Sequence, residues 1–365
     1  MATHTGTSYP ALEAKDISVV LGGQKVVDVP SLKILPNEVL MIIGPNGSGK
    51  TTLLLSLALL VKPASGTISY GGVPVVDARR TLELRRRLAV VLQEPLLLNS
   101  TVWDNVTLGL RLRSVNKEEI KPRADKWLER FGIGHLAKRQ ARLLSGGEAK
   151  RASLARAFAL QPDVLFLDEP FNALDSPTRQ ALLEDFQNVL RETRVTTVMV
   201  THERNEALVL GDRVAVIMNG SISQIGTPEE IFSHPVNEGV AGFVECENII
   251  SGTIVSRQDN LVGIGIGNNV IEAISNYQIG EHVSVCIRPE VITISNDRAS
   301  SSARNTFVGA ITRTVPSGAL CKVEIDCGFP LVALITKRSA DEMEFDKGKT
   351  VYASFKATAV HVIKR

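Results

Sequence analysis

Hydrophobic positions divide the chain into two parts with different patterns. Between residues 11 and 235, short apolar runs alternate with stretches that repeat at helical spacing. The runs Val39–Ile43, Val164–Leu167 and Thr197–Val200 are typical of strands buried in a parallel sheet. Strands that alternate with helices in this way predict an α/β fold. After about residue 245, short alternating runs separated by Gly, Asn and Asp predict a mainly β region built as small, OB-like barrels.

The changes in pattern predict three segments along the chain. The first covers residues 1–240, the second residues 245–297 and the third residues 300–365. The stretch Asn296–Ser302, rich in Ser and Asp, is interpreted as the seam between the last two segments. Helix signals are few in the C-terminal part. Ser339 followed by Glu342 predicts one helix start there, as a capping box with Ser339 as the cap.

Charge and composition argue against several classes of protein. Basic residues number 41 and acidic residues 39, so the net charge is +2 and a nucleic-acid partner is not expected. The basic run Arg79–Arg87 is interpreted as a solvated helix face, because leucines alternate with its charges. No apolar run approaches the roughly 20 residues of a spanning helix, and the N-terminus lacks a signal pattern, so we expect a cytoplasmic chain. Four cysteines without a CxxC pair predict reduced thiols and no zinc site.

A complete phosphate-binding motif lies between the predicted strand Val39–Ile43 and the helix predicted after it. Glycines let backbone N–H groups turn around anionic oxygens, and the helix N-terminus adds partial positive charge. The motif lysine brings a full charge to the β- and γ-phosphates, and the hydroxyl after it is a Mg²⁺ ligand. The sequence therefore predicts an ATP site with Mg²⁺ as cofactor. The residues are Gly44, Pro45, Asn46, Gly47, Ser48, Gly49, Lys50 and Thr51, followed by Thr52.

Two acidic residues follow the apolar run Val164–Leu167. We expect Asp168 to hold Mg²⁺ and Glu169 to accept a proton from the attacking water. Taken alone, such a strand end is more simply a solvated acidic turn. Asp168 lies 118 residues after Lys50, in a chain that also has a full phosphate motif. This combination favours the catalytic interpretation.

Further motifs, which follow one another in order, are similar to those of ATP-binding cassette (ABC) transporter ATPases. With the phosphate motif they cover about residues 11–235. Two residues depart from the family pattern: Glu148 stands where the family has Gln, and Leu21 stands where an aromatic residue often stacks on adenine. The matching residues are Ser145, Gly146, Gly147 and Glu148 of the signature motif, Gln93 of the Q-loop, Asn172–Asp175 of the D-loop, ending in Asp175, and His202 as the switch histidine.

This resemblance implies a P-loop NTPase fold, with a RecA-like core and antiparallel β and helical subdomains. It also implies an ATPase that works as a homodimer, in which each ATP lies between the phosphate loop of one subunit and the signature motif of the other. The implied roles are ATP and Mg²⁺ binding for Lys50, Thr51 and Asp168, metal binding and sensing of the γ-phosphate for Gln93, water activation for Glu169, γ-phosphate binding for His202, and trans contacts for Ser145–Glu148.

Parts of the C-terminal region resemble the regulatory β domains that follow importer ATPases. Arg288–Glu290 is similar to one of these TOBE-like domains, and residues 302–364 are similar to a molybdate-binding Mop domain. Tetrahedral dianions need converging hydroxyls, N–H groups and one or two cations. By resemblance such sites often form between two subunits; the alternative is that these residues cap strands and a helix. The candidate oxyanion ligands are Ser302, Arg304, Thr336, Ser339 and Lys356.

Together these resemblances imply the ATPase subunit of a molybdate/tungstate importer. Such a subunit would lie on the cytoplasmic face of the membrane, bound to permease subunits that an extracytoplasmic oxyanion-binding protein supplies. Oxyanion bound to the C-terminal region would give feedback inhibition. Three alternatives remain at this stage: an importer for sulfate, another anion, a metal or a sugar; an ABC ATPase outside transport that acts on nucleic acid or ribosomes; and a storage module for oxyanion fused to an ATPase.

Overall fold

The computed structural model of the chain describes residues 9–298 and 301–365. Its backbone separates into two compact units, which meet in the chain at Pro228 and Glu229. The sequence pattern placed this boundary later, between residues 240 and 245. The difference arises because residues 234–243 pack on the strands after them: Ala241 lies in one small apolar cluster with Cys286 and Ile363.

A six-stranded, mostly parallel sheet forms the centre of the first unit. Its strand order is β10-β9-β3-β8-β7-β6, and only the β9–β10 hairpin pairs antiparallel. Every residue of β3, β7 and β8 is buried, which explains their continuous apolar runs. A second, antiparallel sheet has the order β2-β1-β4-β5. The strands are β1 (Leu12–Leu21), β2 (Gln24–Ile34), β3 (Val39–Ile43), β4 (Ser65–Tyr70), β5 (Val73–Pro74), β6 (Leu88–Val91), β7 (Val164–Asp168), β8 (Thr196–Val200), β9 (Arg213–Met218) and β10 (Ser221–Gly226).

Seven helices complete the described part of the first unit. Helices α3, α4 and α5 contact one another and form a helical layer of their own. Phe158 of α5 packs against Trp127, Phe131 and Phe186, so aromatic rings join this layer to α6. The helices are α1 (Lys50–Leu57), α2 (Ala78–Arg85), α3 (Val102–Leu112), α4 (Lys117–Arg130), α5 (Gly146–Ala159), α6 (Ser176–Thr193) and α7 (Arg204–Leu210), with 3₁₀ turns at Gly134–Leu136 and Ala141–Leu143.

The second unit consists mainly of two five-stranded antiparallel sheets. Their strand orders are β13-β12-β11-β14-β20 and β15-β19-β16-β17-β18. The elements are α8 (Pro228–Ser233), α9 (Glu238–Phe243), β11 (Asn248–Gln258), β12 (Leu261–Ile266), β13 (Asn269–Ile274), β14 (His282–Ile287), β15 (Thr293–Ser295), β16 (Asn305–Ser317), β17 (Leu320–Asp326), β18 (Pro330–Thr336), α10 (Lys337–Glu342), β19 (Thr350–Phe355) and β20 (Val360–Lys364), with 3₁₀ turns at Pro289–Val291 and Ala357–Ala359.

The two sheets exchange strands across the seam expected near residues 297–300. The last strand, β20, pairs with β14, while β15 pairs with β19. One apolar core accordingly extends from Ile250 to Val362, and the segments 245–297 and 300–365 are not separate barrels. Of the expected seam, residues 299 and 300 lie outside the described residues.

The helix start predicted at Ser339 is wrong by three residues. Helix α10 begins after Thr336, whose hydroxyl accepts a hydrogen bond from the Ser339 N–H at 3.1 Å. The reason is that Thr336 is the last residue of β18, so the strand runs directly into the helix and its final hydroxyl becomes the cap. In the part of the chain that the structure describes, no helix is both long and apolar enough to cross a bilayer. All four cysteines are free thiols, as predicted.

Candidate active site

The phosphate loop lies between β3 and α1, as its motif predicts. Lys50 is 6% exposed, and its ammonium donates to the carbonyls of Gly44 and Pro45, both at 2.9 Å. Burial lowers the pKa of Lys50, and the nearby carboxylates of Glu169 and Asp168 oppose that shift. The loop thus holds a buried cation whose hydrogen-bond acceptors are neutral carbonyls. An anion bound to the loop would stabilise this charge.

Two details show that the loop is shaped for a ligand. The hydroxyl of Ser48 is buried and has no hydrogen-bond partner among the described residues. Gly49 has a φ of 97°, and a Cβ added there would lie 2.7 Å from the Val26 carbonyl oxygen, so only glycine fits. An unsatisfied donor beside a buried ammonium fits a phosphate chain.

Asp168 ends strand β7 and meets the first turn of α1. Its carboxylate accepts a hydrogen bond from the Thr51 hydroxyl at 3.0 Å. Burial raises the pKa of Asp168, and this hydrogen bond opposes the shift. A hydroxyl and a carboxylate oxygen at this separation are hard donors of the type that Mg²⁺ prefers.

Three side chains converge on Glu169, the residue after Asp168. Asn172 Nδ2 lies 2.9 Å and Gln93 Nε2 3.4 Å from Glu169 Oε2, and His202 Nδ1 lies 3.2 Å from Glu169 Oε1. Glu169 has a left-handed φ of 44°, and its N–H donates to the Val200 carbonyl at 2.9 Å. Strained backbone of this kind is typical of functional sites. The structure therefore brings together Gln93, Glu169 and His202, and it adds a contact between Glu169 and Asn172, which the motif analysis had assigned only to the D-loop.

The signature-like residues form the start of α5. The Glu148 N–H donates to the Ser145 hydroxyl at 3.3 Å, and the Ser145 N–H donates to the Glu148 carboxylate at 2.7 Å. This reciprocal capping box gives Glu148 a local role that a glutamine would also serve. The hydrogen bond from the Ser145 backbone is the main cause that lowers the pKa of Glu148. Across the described residues, no hydrogen bond or ion pair joins Ser145–Glu148 to the phosphate loop of the same chain.

Two buried polar contacts near His202 were not found from the sequence. The Thr201 hydroxyl donates to the Glu206 carboxylate at 2.6 Å and accepts from the Glu203 N–H at 3.0 Å. These bonds fix the turn that contains His202. Burial raises the pKa of Glu206 to about 7. The signal that was available is helical spacing, because Glu206 is four residues before the buried Leu210 and so shares its face of α7.

Asp175 is the residue directly before helix α6. Its carboxylate accepts a hydrogen bond from the Thr178 N–H at 3.0 Å, and this backbone hydrogen bond lowers the pKa of Asp175. Asp175 therefore acts as a helix cap in this chain. Its expected contact across a dimer stays a prediction.

The candidate oxyanion ligands fall into two groups within one chain. Arg304 and Lys356 lie next to the paired ends Asn305 and Phe355 of β16 and β19, and Arg304 forms an ion pair with Glu272. Thr336 lies opposite Leu320, which pairs with β16 at its other end. The antiparallel register therefore separates the groups by the length of the 13-residue strand β16. Ser302 and Lys356 are exposed, and the Thr336 and Ser339 hydroxyls are 2.7 Å apart.

Comparison with known proteins agrees with this geometry. A family model described as "ABC transporter" matches residues 27–172, and a "TOBE domain" model matches residues 301–362. A molybdate/tungstate import ATP-binding protein of Pyrococcus abyssi is 36% identical over 334 residues, which cover 91% of this chain and 94% of the relative. The chain belongs to the ABC transporter ATPase family. The ATPase activity and the fold class predicted from the motifs are thereby confirmed.

Other relatives match this chain over most of its length but have a different cargo in their names. A spermidine/putrescine import ATP-binding protein of Thermobifida fusca is 32% identical over 372 residues, covering 100% of this chain and 96% of the relative. Among solved structures, a dimeric bacterial ABC transporter cassette has a TM-score of 0.55 at 28% identity, and it covers 60% of this chain and 98% of that one. The same cassette is also known in a dimeric post-hydrolysis state bound to ADP and Pi. This ABC ATPase is thus an importer subunit, and its cargo requires a separate argument.

Proposed function

We propose that this ABC ATPase cleaves ATP at sites shared by two copies of the chain, and that it energises the import of molybdate and tungstate. The observation that carries the first part is the cluster of Gln93, Asn172 and His202 around Glu169, next to the Thr51–Asp168 pair. The second part is supported by similarity over 91% of this chain to a protein named for molybdate/tungstate import.

The phosphate loop binds the nucleotide through donors that are already in place. The Lys50 ammonium exchanges its two carbonyl acceptors for phosphate oxygens, and the buried Ser48 hydroxyl gains the partner that it lacks. Thr51 and Asp168 are the residues that would hold Mg²⁺. When bound there, Mg²⁺ neutralises charge on the β- and γ-phosphates.

Glu169 acts as the general base for the attacking water. Its carboxylate is 15% exposed, and the three side chains that contact it restrict its orientation. A carboxylate that is held in one orientation beside the transferring phosphoryl group takes the proton from water as the oxygen–phosphorus bond forms. The contact between His202 Nδ1 and the Glu169 carboxylate holds the His202 ring beside Glu169.

The second copy supplies the signature motif. In one chain Ser145 and Glu148 bond to each other, and the N-terminus of α5 provides the N–H groups and dipole that favour an anion. The dimeric cassette at 28% identity supports this arrangement. The ATPase dimer then works at the cytoplasmic face of the membrane, bound to permease subunits that receive their anion from an external binding protein.

The C-terminal unit binds molybdate or tungstate between copies. One end of the sheet supplies Arg304 and Lys356 with Ser302, and the other end supplies Thr336 and Ser339. Because β16 separates these ends within a chain, two copies are needed to bring both groups to one dianion. Anion bound there would select a dimer arrangement that does not close on ATP, which is feedback inhibition.

Uptake measurements test the proposed cargo directly. In cells that produce this chain, it is replaced by the Lys50→Ala variant, and uptake of molybdate, tungstate, sulfate and spermidine is measured at low external concentration. We expect molybdate and tungstate uptake to fall to background while sulfate and spermidine uptake is unchanged. Loss of sulfate or spermidine uptake with normal tungstate uptake would show a different cargo and overturn the proposal.

A further inference from the structure

Two cationic side chains of α5 hold the backbone of residues 93–96, the segment that begins with Gln93. The Lys150 ammonium donates to the Gln93 carbonyl. Arg156, six residues further along α5, donates to the Pro95 carbonyl at 2.8 Å and to the Leu96 carbonyl at 3.0 Å. The segment is therefore joined to the helix through three of its four carbonyls.

The charge of the Lys150 side chain is buried, which is unusual for a lysine. It is 6% exposed, and the described residues offer it no carboxylate at ion-pair distance. Burial lowers the pKa of Lys150, and Glu169, Glu94 and Asp168 are near enough to oppose that shift. A buried ammonium is costly unless its hydrogen bonds and nearby charges stabilise it. A neutral side chain of the same length would fill this space at a lower desolvation cost, so the charge and its donors need an explanation beyond packing.

The contacts of Lys150 connect two parts of the catalytic apparatus. Ser145 of the signature motif caps helix α5, and Lys150 lies in the second turn of that helix. The residue that Lys150 holds, Gln93, has its side chain 3.4 Å from the Glu169 carboxylate. A shift of α5 therefore moves the Gln93 backbone with it, because a packed helix moves as a rigid element.

We propose that Lys150 is a positioning residue, supported by Arg156, that couples the signature helix to Gln93. This inference rests on the proposed function, in which the signature motif serves the ATP site of the other copy. Within one chain, Lys150 then links the motif that contacts one ATP to the Gln93 side chain that orients Glu169 at the second ATP. Occupancy of one site is thereby transmitted to the base of the other, and hydrolysis is cooperative in ATP.

Steady-state kinetics of Lys150 variants test this coupling. Lys150→Met keeps length and removes the donor, Lys150→Arg keeps charge and donors, and Lys121→Met removes an exposed lysine of α4 as a matched control. We expect Lys150→Met to lower kcat about tenfold, the effect of losing one hydrogen bond from a charged group, and to bring the Hill coefficient for ATP to 1. ATP affinity, measured by calorimetry with ADP and ATP analogues, stays unchanged. Lys150→Arg restores cooperativity, and Lys121→Met matches the original chain.

Several outcomes would overturn the inference. One is a Hill coefficient of 1 in the unmodified chain; another is unchanged kcat and cooperativity in Lys150→Met. Equal loss of ATP affinity and melting temperature in Lys150→Met and Lys150→Arg would show a packing role only. If Lys150→Met does not fold, Arg156→Gln tests the same segment, with the same expected loss of cooperativity. Normal cooperativity in these variants, in a chain that dimerises with ATP, would remove this inference and leave the proposed function intact. Failure of ATP-dependent dimerisation in the unmodified chain would instead remove the proposed function.

Discussion

Replacing Glu169 by glutamine should separate ATP hydrolysis from ATP binding. The substitution keeps the shape of the side chain and removes the carboxylate that accepts a proton. Three donors face that carboxylate at 2.9–3.4 Å, and a carboxamide has one oxygen with which to accept them. One of the three contacts is therefore lost together with the base. The phosphate loop does not contact Glu169 by hydrogen bonds, so nucleotide binding is preserved.

The size of the effect follows from the role assigned to Glu169. Loss of a positioned general base lowers turnover by about 10²–10⁴-fold. We expect Glu169→Gln to fall in this range at saturating ATP, measured as phosphate release, with ATP affinity within about threefold of the original value, since the binding contacts are unchanged. Glu118→Gln is the matched control, because Glu118 is an exposed carboxylate in the first turn of α4, and it should retain normal turnover. Turnover of Glu169→Gln at the level of this control would refute the assignment of the base.

Three further predictions concern other parts of the molecule. Glu206→Gln should remove a pH dependence of the stability. The pKa of Glu206 is about 7 in the folded chain and near 4.5 in the unfolded chain, so its contribution to stability is full below pH 4.5 and is lost as the pH rises through 7. The free energy of unfolding of the original chain should therefore fall by roughly 3 kcal/mol more than that of the variant between pH 4.5 and 8, measured with denaturant. Glu272→Gln frees Arg304 from its ion pair and should raise tungstate affinity up to about fivefold by calorimetry; unchanged or weaker binding would remove Arg304 from the site. Phe186→Ala should destabilise the first unit by about 3–5 kcal/mol, because this fully buried ring packs edge-on against Phe158 and Phe171; a loss below about 1 kcal/mol would contradict the packing.

The first unit was largely predictable because its signals are local. The phosphate loop is eight consecutive residues, Gly44–Thr51, and the strand before Asp168 is a continuous apolar run, so each motif is visible without any long-range contact. Motif order assigned Gln93 and His202 to the ATP site, but it did not indicate that both contact Glu169. Asn172, Lys150 and Glu206 were missed in these roles, since an isolated polar residue does not reveal from its spacing that it is buried.

The C-terminal unit was less predictable because long-range strand pairing decides its form. Strand β20 pairs with β14 some 75 residues earlier, and no local pattern indicates that choice. The five oxyanion candidates were chosen by resemblance. For the same reason, the sequence did not indicate that the register of β16 separates Arg304 from Thr336. The helix cap was assigned to Ser339 and is Thr336, because Thr336, three residues earlier, offers an equally good hydroxyl.

Mixing two inactive variants tests the central claim most directly. Lys50→Ala disables the phosphate loop, and Ser145→Arg blocks the start of α5 while leaving its own phosphate loop intact. If each site combines Lys50 of one copy with Ser145 of the other, a mixed dimer has one site with both defects and one site with neither. The mixture should then recover ATPase activity up to about a quarter of the original rate, because half the dimers are mixed and one site in each is intact. Coupling between the two sites lowers the recovered rate below this limit. A mixture that stays as inactive as its separate components would show that the site is not shared between two copies.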